Sequence, residues 1–170
     1  MEHSEVDADR VDDAGSDGAG AVSSTREDGK PEITGDDVTY RVMDLVEVAV
    51  PLPATHGLVV LSEAESPYRS LTIPIALPEA SALSMASQGL NGTRPMTHEL
   101  FSEVLARVQV DVIALRVTGC QGGTYLAEID LMSQRGREVV ACRPSDGMIL
   151  CLRQTVPSPI LVNEQLLESS

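Results

Sequence analysis

The sequence contains no tryptophan, one phenylalanine (Phe101) and three tyrosines. Proteins that bind single-stranded nucleic acid non-specifically stack bases on aromatic side chains, and this chain offers few of them. Basic residues are scarce as well: 12 Lys and Arg stand against 26 Asp and Glu, for a formal net charge of −14. The composition therefore excludes the broad basic surface of a tight, non-specific nucleic-acid binder and leaves room only for a small local site.

Long apolar runs and paired cysteines are also missing. No apolar run approaches the roughly 20 residues that a membrane span needs, and residues 1–7 lack the basic and apolar regions of a secretory signal. Cys120, Cys142 and Cys151 are odd in number and form no C-x-x-C pair, which argues against a disulfide framework and a structural zinc site. We expect a protein of the reducing cytoplasm with no membrane partner.

Negative charge is concentrated at the start of the chain. Residues 1–37 hold 12 of the 26 acids but only 3 of the 12 bases, so the net charge is −9 there and −5 in the rest. This segment is rich in Asp, Gly and Ser, and its burial could not offset an ordering cost of about 1–2 kcal/mol per residue. We expect a disordered, solubilising tail over residues 1–37, with a partner-binding or autoinhibitory arm as the alternative, a compact domain over 38–167 and a short tail over 168–170.

Apolar periodicity and turn residues predict the order of elements in this domain. Alternating apolar runs predict strands, and Pro78 and Pro144 suit the first turns of helices because the missing N–H would be unpaired there. The order is three strands and a helix, a linking helix, three more strands and a helix, and a last strand. The predicted elements lie at about 40–50, 57–61, 71–75, 78–88, 97–108, 110–117, 124–131, 138–142, 144–152 and 158–162.

The β-β-β-α order thus occurs twice. Short turns such as Gly122-Gly123 give each triplet of strands the spacing of hairpins, which favours an antiparallel sheet. We predict the α+β class, with a largely antiparallel sheet, three main helices and a single compact domain that suggests internal duplication. The linking helix has one apolar face, formed by Leu100, Phe101, Val104, Leu105 and Val108.

Three segments, 69–80, 94–100 and 143–146, carry more charge than a fold requires. In the last two, Arg94 and Arg143 each precede a proline just before a helix start. Helix N-termini present free N–H groups and bind phosphate, and an adjacent arginine can grip the same phosphate through two hydrogen bonds. Two such helix starts, brought side by side, would form a phosphate site.

The same segments contain groups for proton transfer and metal binding. His98 can act as an acid or base, and the carboxylates of Glu79, Glu99 and Asp146 can hold a divalent cation or orient water. Arginine, histidine and carboxylate together are the parts used in phosphodiester cleavage.

A structural interpretation accounts for each residue separately. Thr97 and Ser145 can serve as helix N-caps, worth about 1 kcal/mol each. The three carboxylates can complement helix dipoles, the arginines can pair with them, and His98 can be a local hydrogen-bonding residue. Cys142 and Cys151 are most simply small core residues.

Taken in order, these segments resemble the bifunctional nuclease (BFN) domain family of bacteria and plants. That family typically shows R-x-L-P-I-x-I-G-x-x-E-A, R-P-x-T-H-D-L, D-G-T-Y-x-A and D-A-R-P-S-D-A, which correspond here to residues 69–80, 94–100, 122–127 and 141–147. The similarity spans about residues 42–167. It implies an α+β domain, often dimeric, with nuclease activity on DNA and RNA.

Several positions depart from the family pattern. Gly122 and Ala141 stand where the family has Asp, so two acidic groups are missing from the motifs. Thr72, Pro74 and Ala76 also depart from the pattern, and Glu99 for Asp is a mild change. The retained motif residues are Arg69, Glu79, Arg94, His98, Arg143, Ser145 and Asp146.

The leading hypothesis is a homodimeric nuclease that cuts phosphodiester bonds in DNA or RNA, with Mg²⁺ or Mn²⁺ as candidate cofactor. The predicted catalytic residues are His98, Glu99, Asp146 and Glu79, and the predicted substrate-binding residues are Arg69, Arg94, Thr97, Arg143 and Ser145. The alternative is a non-catalytic dimeric binding or regulatory module, in which these residues lock helix starts and an interface or bind a small anion. The nuclease hypothesis requires the helix starts near residues 97 and 144 to meet.

Overall fold

The computed structural model describes residues 38–53 and 55–168. The predicted disordered tail, 1–37, lies outside the described residues. Within the described ranges the chain forms seven strands and four helices, and their order confirms the predicted one. The strands are β1 Tyr40–Ala49, β2 Gly57–Glu63, β3 Ser70–Ile75, β4 Asp111–Gln121, β5 Thr124–Ser133, β6 Gly136–Cys142 and β7 Ile160–Asn163; the helices are α1 Leu77–Ser87, α2 Thr97–Arg107, α3 Pro144–Leu152 and α4 Gln165–Glu168.

All seven strands belong to one sheet, in the order β3-β2-β1-β7-β4-β5-β6. Neighbouring strands are antiparallel except β4 and β7, which are parallel. Each predicted triplet is a meander, and β7 joins the two meanders side by side. The α+β class and the largely antiparallel sheet are confirmed, and α4 adds only a short terminal turn to the three main helices.

Local sequence explains both the strands and the turn between β4 and β5. In β3, buried Leu71, Ile73 and Ile75 alternate with exposed residues, because successive side chains of a strand point to opposite faces. Gly122 and Gly123 have φ values of 56° and 79°, the left-handed region that a two-residue hairpin turn needs at both positions. Glycine adopts this region without steric cost, which accounts for Gly122 at a motif position where the family has Asp.

Helices α1 and α3 pack against each other and against one face of the sheet. The core lies between them, and its fully buried large side chains include Val59, Leu61, Leu71, Ile73, Leu83, Leu115, Val117, Met148, Ile149 and Val162. Two glycines permit the close approach of helix to sheet. A Cβ on Gly57 would lie 2.5 Å from the Cβ of Ala80, and one on Gly147 would overlap Cδ1 of Leu115.

Helix α2 is attached differently from the other two long helices. Its sequence predicts one apolar face, yet of the five residues on that face only Leu105 is buried. Leu100, Phe101, Val104 and Val108 are 43–60 % exposed. The start of α2 is instead held against α3 by polar contacts of His98 and Glu99.

No helix in the described part of the chain is long and apolar enough to cross a membrane.

Candidate active site

The starts of α2 and α3 meet through one hydrogen bond. Nε2 of His98, the second residue of α2, lies 3.0 Å from Oδ1 of Asp146, the third residue of α3. Both side chains are partly buried, at 20 % and 26 % exposure. The structure therefore brings together residues that stand 48 positions apart in the sequence.

Arg143 extends this pair to a third helix. Its Nε and Nη2 donate to Oδ2 and Oδ1 of Asp146, at 2.8 and 3.1 Å. Its Nη1 donates to Oε1 of Glu79, in the first turn of α1, at 2.6 Å. We call His98, Asp146, Arg143 and Glu79 the His98 cluster. Both β-β-β-α units contribute to it, and so does the helix between them.

The sequence around residue 144 explains why Arg143 and Asp146 reach this position. Pro144 opens α3, where its fixed φ suits the first helical turn and its missing N–H leaves nothing unpaired. Gly147, one turn from Arg143, has no side chain to hold the helix away from Leu115 of β4. The first turn of α3 consequently lies directly on the sheet, next to the start of α1.

The electrostatics of the cluster assign the proton on His98. Burial raises the pKa of Asp146, but hydrogen bonds from Arg143 and His98 outweigh it and hold that pKa below its ordinary value. The pKa of Arg143 is raised, chiefly by its hydrogen bond to Asp146. An ionised carboxylate only accepts hydrogen bonds, so Nε2 of His98 carries a proton, and in the neutral imidazole Nδ1 has the free lone pair. None of the described residues forms a hydrogen bond with Nδ1.

A cleft of about 600 Å³ adjoins the cluster and is lined by His98, Arg143 and Asp146. Its wall is mainly apolar and is formed by Phe101, Ile129, Leu131, Val140 and Leu150, with Thr97 also in the lining. A second pocket of about 220 Å³ lies on the Glu79 side of Arg143 and includes Thr124, Tyr125 and Ser145. Phe101 is a site residue that the sequence did not reveal, because its position in α2 indicated only an apolar helix face.

Cys142 also lines the larger cleft, but its chemistry is that of a core residue. Burial raises the pKa of its thiol to about 11, and that of Cys151 to about 12. Both are therefore protonated at neutral pH and are poor nucleophiles.

Arg69, a predicted substrate-binding residue, lies in a different network. Its Nη2 donates to Oε1 of Glu63 and to Oε1 of Glu164, each at 2.7 Å. Glu63 also accepts from Arg41, and its side chain is only 1 % exposed. The hydrogen bond from Arg69 is the main cause that lowers the pKa of Glu63 to about 2. We call Glu63, Arg41, Arg69 and Glu164 the Glu63 cluster.

Glu99, a predicted catalytic residue, is also engaged elsewhere. Its carboxylate accepts the backbone N–H of Met96 at 2.9 Å and of Gly92 at 3.1 Å, and it pairs with Arg153 at 2.9 Å. The Met96 N–H is the main cause that holds the pKa of Glu99 below its ordinary value. With a side chain only 8 % exposed, Glu99 caps α2 and joins it to the end of α3.

The remaining predicted residues have mixed placements. Arg94 lies in the loop before α2, and no described residue pairs with its guanidinium. Thr97 is the first residue of α2, whose N-cap is Met96, and Ser145 is the second residue of α3, whose N-cap is Arg143. The N-cap interpretation of Thr97 and Ser145 is therefore wrong, since the helices begin one and two residues earlier than it requires.

The His98 cluster does not fit a resident Mg²⁺ or Mn²⁺ ion. Such ions need several oxygen ligands, whereas Arg143 already bonds the carboxylates of both Glu79 and Asp146. In the described ranges no three His, Cys, Asp or Glu side chains are grouped so that they could hold a metal. Of the two departures from Asp, Gly122 is in a turn, and Ala141 pairs with Glu128 in the sheet register and lines the same cleft as His98 without supplying a carboxylate.

The sequence profile described as Bifunctional nuclease domain matches residues 59–170. This chain belongs to that family. It is also similar to two proteins of Mycobacterium tuberculosis, from strains CDC 1551 / Oshkosh and H37Rv, each 35 % identical over 123 residues. The match covers 72 % of this chain and 71 % of each relative, and both relatives are described as uncharacterized. The resemblance noted in the four motifs is thereby confirmed for the bifunctional nuclease domain.

Proposed function

We propose that this chain is a nuclease that cleaves phosphodiester bonds at the His98 cluster. The observation that carries the proposal is the 3.0 Å contact between His98 and Asp146, with Arg143 bonded to the same carboxylate. A proton-transfer group, the carboxylate that orients it and a cation for phosphate thus lie at the edge of one cleft.

Each residue of the cluster has a role that follows from its hydrogen bonds. Nδ1 of His98 accepts a proton from the attacking hydroxyl, while Asp146 holds the imidazole in the required tautomer and stabilises its protonated form. Arg143 has five N–H donors, and its three bonds to Asp146 and Glu79 leave two for a phosphate oxygen. Its side chain is 64 % exposed, so a phosphate can reach it from solvent.

The apolar wall of the cleft suits a nucleobase. Phe101 is 47 % exposed and Val140 is 46 % exposed, whereas Ile129 and Leu150 are buried behind them. Base stacking on an aromatic ring is worth about 1–3 kcal/mol and tolerates any base. This wall therefore supports binding of a nucleotide beside Arg143 with little sequence preference.

His98→Ala is the direct test of the proposal. General acid–base catalysis contributes about 10²- to 10⁴-fold in rate, so the variant should lose at least about 10²-fold when the full chain is given labelled single-stranded RNA and DNA. His56→Ala is a matched control, because His56 is exposed and its ring bonds only to the hydroxyl of the adjacent Thr55 among the described residues. Equal cleavage by wild type and His98→Ala would remove His98 from the mechanism. No cleavage by wild type, with or without Mg²⁺ or Mn²⁺, would refute the nuclease.

A non-catalytic binding module is the second candidate. One observation favours it: Arg143 already pairs with both carboxylates of the cluster, so these contacts can lock α1, α2 and α3 together without any substrate. In that case a phosphorylated compound should raise the Tm of the protein without being turned over.

We also propose that the chain forms a homodimer through one exposed apolar ridge of α2 that does not include Phe101. Leu100, Val104 and Val108 recur every four residues along one ridge. A two-fold axis at Val104 would place Leu100 of one subunit against Val108 of the other, and ridges of this spacing interdigitate in packed helices. Burial of these side chains in a dimer would remove their contact with water.

Val104→Glu tests this interface, because it would place a like charge on both sides of the axis. We expect the variant to sediment as a monomer where wild type sediments as a dimer. Val156→Glu is the control, since Val156 is 79 % exposed in a loop and lies outside α2. A monomeric wild type would contradict the proposal.

A further inference from the structure

In the His98 cluster, the guanidinium of Arg143 lies between the carboxylates of Glu79 and Asp146. Arg143 reaches Glu79 at 2.6 Å and Asp146 at 2.8 and 3.1 Å. A divalent cation that bridged the same carboxylates would have to displace the guanidinium and break these three hydrogen bonds. The donor set is therefore built around an arginine, which can bind a phosphate oxygen but does not acidify a water molecule as a metal ion does.

This arrangement restricts the nucleophile. A water molecule attacking phosphorus would need activation and positioning. Two atoms of the cluster have no partner among the described residues, Nδ1 of His98 and Oε2 of Glu79, but Oε2 is buried, so only His98 offers a base at the cleft. The 2′-hydroxyl of ribose needs less help, because it is carried on the carbon next to the one that bears the phosphate oxygen. Effective molarities for well-oriented intramolecular attack reach about 10⁵–10⁸ M. DNA has no such hydroxyl.

We propose that this chain cleaves RNA by attack of the 2′-hydroxyl, without a metal ion. The inference rests on the proposed nuclease function and narrows its substrate to RNA. Nδ1 of His98 takes the proton of the 2′-hydroxyl as the O2′–P bond forms, and Arg143 binds a non-bridging oxygen of the phosphate. The P–O5′ bond breaks, and the leaving 5′-oxygen receives a proton from the imidazolium or from water. The products are a 2′,3′-cyclic phosphate and a 5′-hydroxyl.

The cleft offers a place for the nucleotide that carries this hydroxyl. Phe101 and Val140 present a half-exposed apolar surface next to His98 and Arg143 in the same cleft. A base lying against that surface would leave its ribose and 3′-phosphate near the cluster. Because an apolar wall offers few hydrogen bonds to base edges, cleavage should show little preference for sequence.

Three oligonucleotides of one sequence test the inference on the full chain in excess EDTA. They are an all-ribose strand, an all-deoxyribose strand, and a deoxyribose strand with a single ribonucleotide. We expect cleavage of the first at a rate unchanged by EDTA, no cleavage of the second, and a single cut in the third, directly 3′ of its ribonucleotide. Mass spectrometry should show a new 3′ end that is one water lighter than a linear phosphate.

Different results would refute the 2′-hydroxyl mechanism and the proposed nuclease function. Any of three results would overturn the 2′-hydroxyl mechanism and leave the proposed nuclease function in place. The first is cleavage of the all-deoxyribose strand at a rate like that of RNA, and the second is loss of RNA cleavage in EDTA. The third is a linear phosphate formed without a cyclic intermediate. No cleavage of any strand, in EDTA or with added Mg²⁺ or Mn²⁺, would overturn both.

Asp146→Asn provides a second, conservative variant. The amide would keep the shape of the side chain and could still accept the Nε2–H of His98, but it would lose the charge that stabilises the imidazolium. We expect cleavage of the all-ribose strand to fall by about 10²-fold or more, with a shifted pH–rate profile. An unchanged rate and an unchanged profile would contradict the assigned role of His98 and Asp146.

Discussion

The His98 cluster and the Glu63 cluster are both built from arginines and carboxylates, and both contain an arginine from a family motif. In the Glu63 cluster, Glu63 is 1 % exposed at its side chain and accepts four hydrogen bonds from Arg41 and Arg69. In the His98 cluster, Arg143 is 64 % exposed, and Oε2 of Glu79 has no hydrogen-bond partner among the described residues. Arg69 also has two N–H donors, on Nη1, that no described residue accepts, but its side chain is only 25 % exposed. The Glu63 cluster is therefore the more enclosed network, whereas Arg143 keeps exposed N–H donors beside a cleft.

This difference separates a structural ion pair from a candidate site more clearly than residue type does. A charge network that is mostly enclosed holds strands together and gives a ligand little access to its groups. A network with unused hydrogen-bonding groups and an open face can exchange some of its contacts for those of a substrate. Arg69 and Arg143 would otherwise be equivalent candidates for binding phosphate.

Replacing Arg143 or Arg69 by alanine should give the largest difference between the two clusters. Arg143→Ala removes a phosphate-binding donor, and we expect nuclease activity to fall by about 10²–10³-fold with a small change in Tm. Arg69→Ala leaves Glu63 buried without its main partner, and we expect a Tm lower by several degrees with activity retained by the folded protein. Activity assays and thermal unfolding on both variants check this. Equal losses of activity would show that the distinction is wrong.

Replacing Gly147 should disturb the His98 cluster, because Gly147 allows the first turn of α3, which carries Asp146, to lie on the sheet. A Cβ at residue 147 would overlap Cδ1 of buried Leu115 and come within 3.2 Å of Sγ of Cys142. We expect Gly147→Ala to lower the free energy of unfolding by about 1–3 kcal/mol and to reduce activity as the start of α3 shifts. Gly119→Ala is the matched control, since a Cβ there meets nothing within 4 Å. Denaturant unfolding of both variants is the measurement.

The pH dependence of stability should report mainly on the Glu63 cluster. The pKa of Glu63 is lowered from 4.5 to about 2 in the folded protein. A lowered pKa stabilises the folded state above the unfolded value, and this stabilisation is lost as the pH falls through the folded value. We expect the Tm, measured by thermal unfolding across this range, to decrease between about pH 4.5 and pH 2.

Two variants sharpen that assignment. Glu63→Gln should lower the Tm at neutral pH and weaken its decrease in acid. Asp146, whose pKa is also lowered, contributes in the same direction. Asp146→Asn should nevertheless leave most of the acid dependence in place, because the enclosed network around Glu63 would remain. The reverse ranking of the two variants would place the acid-sensitive contacts in the His98 cluster.

Most secondary structure could be predicted because it depends on local pattern. Alternation of Leu71, Ile73 and Ile75 indicates a strand by itself, and Pro144 marks a helix start wherever it lies in the fold. Helix α2 shows the limit of such patterns. Its apolar face predicts an amphipathic helix, but periodicity does not say whether that face meets the core, another subunit or solvent.

The candidate site divides in the same way. His98, Arg143, Asp146 and Glu79 could be proposed from motifs, and the structure brings all four together. Glu99 belonged to the same motifs, yet its carboxylate caps its own helix. Glu63, the ion-pair partner of Arg69, lies in no motif and becomes its partner only through the pairing of β2 with β3.

By itself, the sequence determined the strands, the helices, their order and the chemical types available for a site, because these follow from local periodicity, turn residues and motif composition. Only the tertiary structure decided which charges are paired. Register and helix packing place Glu63 against Arg69, and His98 against Asp146, across 6 and 48 residues of chain. This pairing decides what each arginine can do. The guanidinium of Arg69 is mostly enclosed and holds strands together, whereas that of Arg143 lies beside an open cleft, where a phosphate can reach it.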